Sequence, residues 1–175
     1  VFKHLKKLLA DVELKELLMQ KNKNGQNQLH KLLIVNKNEK CLKEFLDTLK
    51  TVLDKTDFNQ LLKEPEDEHG SNCFILAATC NNSDSLNLFW SFTEEFLTQD
   101  KLKQHIQHTN EYGSNAIQRA AQINSAESFS AVLEIARKIL NAGELKTLLK
   151  HVNNDGNNIL HSAALNDESE GISET

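Results

Sequence analysis

At 175 residues and 39% hydrophobic content, the chain can bury a real core and is too apolar to be disordered. Its net charge of −5 sets 25 acids against 18 Lys and only 2 Arg; Arg is the residue suited to bidentate phosphate and base contacts, which argues against a nucleic-acid partner. No apolar run approaches the roughly 20 residues that span a bilayer, which argues against membrane insertion. The charge is uneven: residues 1–65 hold 13 Lys and 9 acids, the remainder 7 Lys or Arg and 16 acids. Cys41, Cys73 and Cys80 are odd in number and lack CxxC spacing. That pattern points to free thiols in a reducing compartment, cytoplasm or nucleus.

In chain order, Phe2, Leu5 and Leu9 mark a first helix, and Leu14, Leu17 and Leu18 a short second one with Asp11 as its capping candidate. The stretch Asn22-Lys23-Asn24-Gly25-Gln26-Asn27-Gln28-Leu29 follows, and it returns three times, around Gly70, Gly113 and Gly156. The glycines lie 45, 43 and 43 residues apart. Each copy has Asn or Asp three before the Gly (Asn22, Asp67, Asn110, Asn153), Asn two after it (Asn27, Asn72, Asn115, Asn158) and an apolar residue four after it. Small or apolar pairs follow: Leu32-Leu33, Ala77-Ala78, Ala120-Ala121 and Ala163-Ala164. A fixed period of this size marks a repeat architecture.

Between the glycines, Leu42, Phe45, Leu46, Leu49, Val52 and Leu53 form an apolar stripe on one helix face. It recurs from Leu86 to Leu97 and from Phe129 to Leu140. A shorter stripe follows at Phe58-Leu61-Leu62, Leu102-Ile106 and Leu145-Leu148-Leu149, with Thr56 and Thr98 as capping candidates. The unit is therefore a turn, a short helix 1, a longer helix 2 and a short helix 3. Units span about 1–21 (partial), 22–66, 67–109, 110–152 and 153–175 (partial), within a single repeat domain over 1–175. In this register Val1 aligns with Val132 and Ile172 with Phe129, so the chain is expected to be an excerpt of a longer array with apolar ends, monomeric or associating end to end. There is no signal peptide and no initiator Met, so a targeting segment could have been removed.

Each residue type has a reason. Gly permits positive φ in the turn; Asn or Asp before it can bond back to the turn backbone; the Asn after it is a good N-cap; the Ala pairs let neighbouring helices approach. Candidate chemistry is thin. His105 and His108 share a helix face at a spacing that can ligate zinc, but nothing completes the set, and two solvated histidines is the preferred reading. His69 sits on a turn tip beside Asp67 and Glu68. Cys73 and Cys80 lie on helix 1 as small hydrophobes, and Phe89 and Trp90 belong to a stripe. The lysines at 3, 6, 7, 15, 21 and 23 form a solvated face. No phosphate loop, nucleophile elbow or cofactor motif is present, and no enzyme is indicated.

The turn and the Leu160-His161-Ser162-Ala163-Ala164 run after Asn158, with Leu29-His30 after Asn27, resemble the ankyrin repeat. Three departures stand out: Asn replaces the family's capping Thr and no Pro follows it; the His appears only at His30 and His161; and the period is 43 rather than 33. The surplus is about the length of helix 3. The resemblance implies an all-α, ankyrin-like α-solenoid with an expanded unit of turn plus three helices; an armadillo- or HEAT-like helical repeat is the alternative. It also implies a protein-binding module whose partner is another protein, and a structural segment of a longer repeat protein is the alternative function. Contacts in that family come from turn tips and the inner face of helix 1. Here the tips are Lys23, Asn24, Gln26, Glu68, His69, Ser71, Glu111, Tyr112, Ser114, Asn154, Asp155 and Asn157; the inner face adds Ile34, Thr79 and Gln122. Tyr112, the one aromatic tip, is the leading anchor. In the same family the His position orders the adjoining turn, and His30 and His161 are expected to do so.

Overall fold

A computed structural model describes residues 2–35, 39–63, 69–79, 82–123 and 125–170, with side-chain surroundings for all of these except 3, 34, 35, 63 and 166–170. Glu68, Cys80, Ile172 and the side chain of Ile34 therefore lie outside the described residues. The described residues are all helical apart from turns, with no strand among them. The first unit contributes α1 (Phe2–Leu8) and α2 (Asp11–Met19). Next come α3 (Gln28–Val35), α4 (Glu39–Val52) and α5 (Lys55–Lys63); then α6 (Cys73–Thr79), α7 (Ser83–Phe96) and α8 (Gln99–Gln107). The third set is α9 (Ala116–Gln122), α10 (Ala126–Ile139) and α11 (Ala142–Lys150), and α12 (Ile159–Glu170) follows the last turn. Turn, short helix, long helix and short helix thus recur as the period requires.

The stripes become the core. On α4, Leu42, Phe45, Leu46 and Leu49 are buried; on α7, Leu86, Phe89, Trp90 and Thr93; on α10, Val132, Ile135, Ala136 and Ile139. The short helices add Leu14 and Leu18, then Phe58, Leu61 and Leu62, then Leu102 and Ile106, then Leu148. Like elements stack on like: α3 on α6, α6 on α9 and α9 on α12, and likewise α1 on α4, α4 on α7 and α7 on α10. Helix 3 packs onto helix 2 of the following unit, α2 on α4, α5 on α7 and α8 on α10. Phe58 shows how: its ring meets Phe92 at 5.0 Å and Phe96 at 4.8 Å between ring centres. Burying one such side chain stabilises by about 1.5–3 kcal/mol. The Ala pairs behave as the register demands, Ala77, Ala78, Ala120 and Ala121 being buried while Ala163 and Ala164 on α12 are exposed.

Phe2, Leu5 and Leu9 are half-buried rather than exposed, Phe2 packing on Phe45 at 4.9 Å. Exposed apolar surface near the first and last described helices comes instead from Leu8, Val12 and Leu160. The helix-3 capping residues also differ from expectation. Asp54, not Thr56, accepts from the first amides of α5, at 2.8 and 2.9 Å, and those amides of Asp57 and Thr56 hold its carboxyl below the usual range. Asp11 lies inside α2, where Glu13 reaches back to the Ala10 amide at 2.9 Å, and Thr98 makes no side-chain cap. Asn141 caps α11 by accepting from the Glu144 amide at 2.9 Å.

Two ion pairs tie successive helix-3 elements: Lys15 to Asp57 at 2.6 Å and Lys103 to Glu144 at 2.8 Å. The Lys103 ammonium, and after it the Asn141 amide, hold the Glu144 carboxyl below the usual glutamate range. A carboxyl that titrates lower when folded contributes stability that is fully present above its unfolded pKa and lost as pH falls through the folded one. Urea midpoints are therefore expected to fall between about pH 5 and 3, and less steeply in Lys103→Met. Equal acid slopes in the two proteins would contradict the pairing.

Candidate interaction surface

The turns are built by their asparagines. Asn22 Oδ1 accepts from the amides of Asn24 (2.9 Å) and Gln26 (3.0 Å). Asn110 does the same for Tyr112 (3.1 Å) and Ser114 (2.9 Å), and Asn153 for Asp155 (3.0 Å) and Asn157 (2.9 Å). The glycine inside each turn then has φ between 71° and 78°, at Gly25, Gly70, Gly113 and Gly156 alike. That region is open to Gly and costly to other residues.

The Asn two after each glycine caps a helix, and in three of the four copies it has a second task. Its oxygen caps helix 1, accepting from the amides of His30 (3.0 Å), Ile75 (2.9 Å), Gln118 (3.0 Å) and His161 (3.1 Å). Its nitrogen donates to a carbonyl at the end of helix 3 in the same unit: Asn27 to Leu61 (3.1 Å), Asn72 to His105 (2.9 Å) and Asn115 to Leu148 (3.4 Å). A carboxamide can accept and donate at once, with the reach to serve both helices. Asn therefore suits a unit that has a third helix to hold. The variable position beside it is explained too: His30 Nδ1 accepts from the Asn27 amide at 3.1 Å, His161 Nδ1 from Asn158 at 3.3 Å, and Gln118 Oε1 from Asn115 at 3.1 Å. The expected turn-ordering role of His30 and His161 is what they perform.

His108 corrects the reading of it as a solvated residue. Its Nε2 donates to the Gly70 carbonyl at 2.8 Å, and His151, the same position one unit later, donates to the Gly113 carbonyl at 2.7 Å. The 43-residue spacing of these histidines was a visible signal in the sequence. No cluster of three metal-ligating side chains occurs among the described residues. Cys73 is fully buried, and that burial pushes its thiol pKa up, the reverse of what a nucleophile needs. Phe89 and Trp90 are core. Lys6, Lys7, Lys21 and Lys23 are exposed as expected, whereas Lys15 is engaged with Asp57.

The tips are bonded to one another. The Glu111 amide donates to the His69 carbonyl at 2.9 Å, and one unit on the Asn154 amide donates to the Tyr112 carbonyl at 3.0 Å. Tyr112 and His69 also share a 3.1 Å bond between hydroxyl and Nδ1, their rings 5.5 Å apart. Two clefts open on this row. One of about 360 Å³ is lined by Asn24, Gln26, His69, Ser71, Thr79 and Tyr112 together with Lys31, Leu76 and Arg119. The other, about 400 Å³, is lined by His69, Tyr112, Ser114, Gln122, Asp155 and Asn157 together with Arg119, Ser162 and Leu165. They share His69, Tyr112 and Arg119.

Most of the expected contact residues are thus brought together. Lys23, Glu111 and Asn154 line neither cleft; Asn154 Nδ2 is spent on the Glu111 carbonyl at 2.7 Å. Gln26, Ser71 and Ser114 are more than nine-tenths buried and present little surface. Arg119 and Lys31 were missed, because a charged residue on a short helix has no periodic signature of its own. Arg119 is half-buried and donates to the Gln122 amide oxygen.

A Cβ on Gly113 would sit 2.5 Å from Asn154 Oδ1 and 3.0 Å from its backbone nitrogen, whereas one on Gly156 would meet nothing within 4 Å. Gly156→Ala is expected to cost about 1 kcal/mol from φ strain alone, and Gly113→Ala about 1–3 kcal/mol more from the contact. Equal losses in urea unfolding would show that the tips do not touch. His151→Leu should cost about 1 kcal/mol by orphaning the Gly113 carbonyl, while His4→Leu, at an exposed site, stays within about 0.5 kcal/mol; indistinguishable variants would contradict the turn clamp. In comparisons of sequence, no family model and no curated protein matches this chain.

Proposed function

We propose that the chain is a non-catalytic, ankyrin-type protein-interaction module, an α-solenoid of expanded units that presents a concave row of turn tips and helix-1 faces to another protein. The observation that carries this is the meeting of both clefts at His69, Tyr112 and Arg119, on tips locked to one another by backbone bonds. A surface held this firmly binds without having to order itself first. Tyr112 is half exposed and tethered through its hydroxyl, which suits an amphipathic anchor. The ankyrin-type reading is further supported by the positive-φ glycines and the Asn caps. A third helix in each unit accounts for the longer period. The absence of catalysis is supported by the histidines at 108 and 151 being committed to backbone carbonyls and by the buried Cys73 thiol. No described helix is long and apolar enough to cross a membrane. The free thiol of Cys73 supports a cytoplasmic or nuclear setting.

Panning a displayed random-peptide library on the protein tests the reading. Selected binders are expected to lose about 30-fold in affinity to Tyr112→Ala, the scale of a 2 kcal/mol hot spot, and nothing to Lys146→Ala on α11. Binders equally sensitive to both variants, or no enrichment at all, would overturn it.

A further inference from the structure

We propose that the segment bound along this surface is extended and acidic, with a carboxylate facing Lys31, an apolar side chain facing Leu76 and a second carboxylate facing Arg119. The inference rests on the interaction reading above and names the chemistry of its partner.

The three residues occupy one repeat position, six after Gly25, Gly70 and Gly113, on α3, α6 and α9. Those helices pack side by side in that order, and all three side chains line the same cleft. Packed helix axes lie about 8–10 Å apart. An extended polyproline II chain advances about 3.1 Å per residue with about three residues per turn, so one helix-to-helix step matches about three residues of ligand and returns a side chain to the same face. A segment crossing the helices at right angles would therefore repeat its contacts at every third residue. The order of contacts follows from the row: the charges at Lys31 and Arg119 select the ligand, and Leu76 between them, 5% exposed, is a nearly covered apolar floor that adds little contact of its own.

Arg119 is the discriminating group. One guanidinium nitrogen is fixed by Gln122, which orients a fork of N–H donors suited to a carboxylate. Arg119 is half-buried in this cleft, while Glu111 and Asp155 stand exposed on neighbouring tips. Acidic groups on those tips disfavour a continuous polyanion such as single-stranded nucleic acid and tolerate isolated carboxylates that reach Arg119. Side-chain amides of Asn24 and Gln122 lie beside the row, and amides can both donate to and accept from an extended backbone.

The test uses the whole chain and labelled synthetic peptides read by fluorescence anisotropy at low salt. One carries Glu-Ser-Ser-Leu-Ser-Ser-Glu in a Gly/Ser background; the others replace Glu by Gln, replace Glu by Lys, or place the two Glu together. The spaced acidic peptide is expected to bind about tenfold or more tighter than each of the others, a difference of about 1.4 kcal/mol. Arg119→Glu should reverse the preference toward the Lys peptide. Lys31→Gln, at an exposed site that leaves folding intact, should weaken the acidic peptide alone. Equal binding of the four peptides, tighter binding of a thymidine oligonucleotide, or no response to Arg119→Glu in a protein that still unfolds cooperatively would overturn the proposal. If library-selected peptides still lose affinity to Tyr112→Ala in that case, the interaction reading stands and only the acidic chemistry fails. If they do not, the interaction reading fails with it.

Discussion

The structure depends on one side chain used repeatedly: the carboxamide two residues after each turn glycine. At Asn27, Asn72 and Asn115 it caps helix 1 with its oxygen and holds the end of helix 3 with its nitrogen. Both partners are backbone groups at helix ends, where intrahelical partners run out. These asparagines are at most 4% exposed, so each bond left unmade would cost about 1–3 kcal/mol. Helix 3 is then free to send its apolar face, Phe58 on α5 for example, against helix 2 of the next unit. The same clamp that closes one unit thereby prepares the surface on which the next one stacks.

The proposed interaction surface inherits its rigidity from this arrangement. Asn22, Asn110 and Asn153 shape their tips, the positive φ turns the chain, and the histidines at 108 and 151 pin the Gly70 and Gly113 carbonyls from behind. With the tip geometry repeated, the amide of one tip meets the carbonyl of the one before it. Two tip side chains add to it: Asn154 Nδ2 donates to the Glu111 carbonyl, and the Tyr112 hydroxyl meets His69 Nδ1. Tyr112 and Asp155 stay exposed on turns that the backbone and the asparagines hold.

Much of this was legible in the sequence, because it is local. The turn chemistry around Gly25, Gly113 and Gly156 and the stripes that became α4, α7 and α10 are patterns within a few residues of one another. What escaped was what crosses units. The spacing of His108 and His151 equals the period, yet weighing His108 only with His105, and reading both as solvated, hid its match one unit later. Arg119 stands alone among Lys31, Leu76 and Ser162 at its repeat position, and only the stacking of α3, α6, α9 and α12 gives that position a meaning. The caps on helix 3 were assigned to Thr56 and Asp11, although Asp54 lies nearer the helix start that the packing selects.

Native-state hydrogen exchange on two variants of one residue tests the double role of the carboxamide most directly. Asn72→Ala removes both bonds, whereas Asn72→Thr keeps an N-cap oxygen and loses the reach to the His105 carbonyl. The account predicts that the alanine variant lowers protection in both α6 and α8, while the threonine variant lowers it in α8 and largely spares α6. Protection of α8 unchanged in both variants would mean that the third helix is held by its apolar face alone.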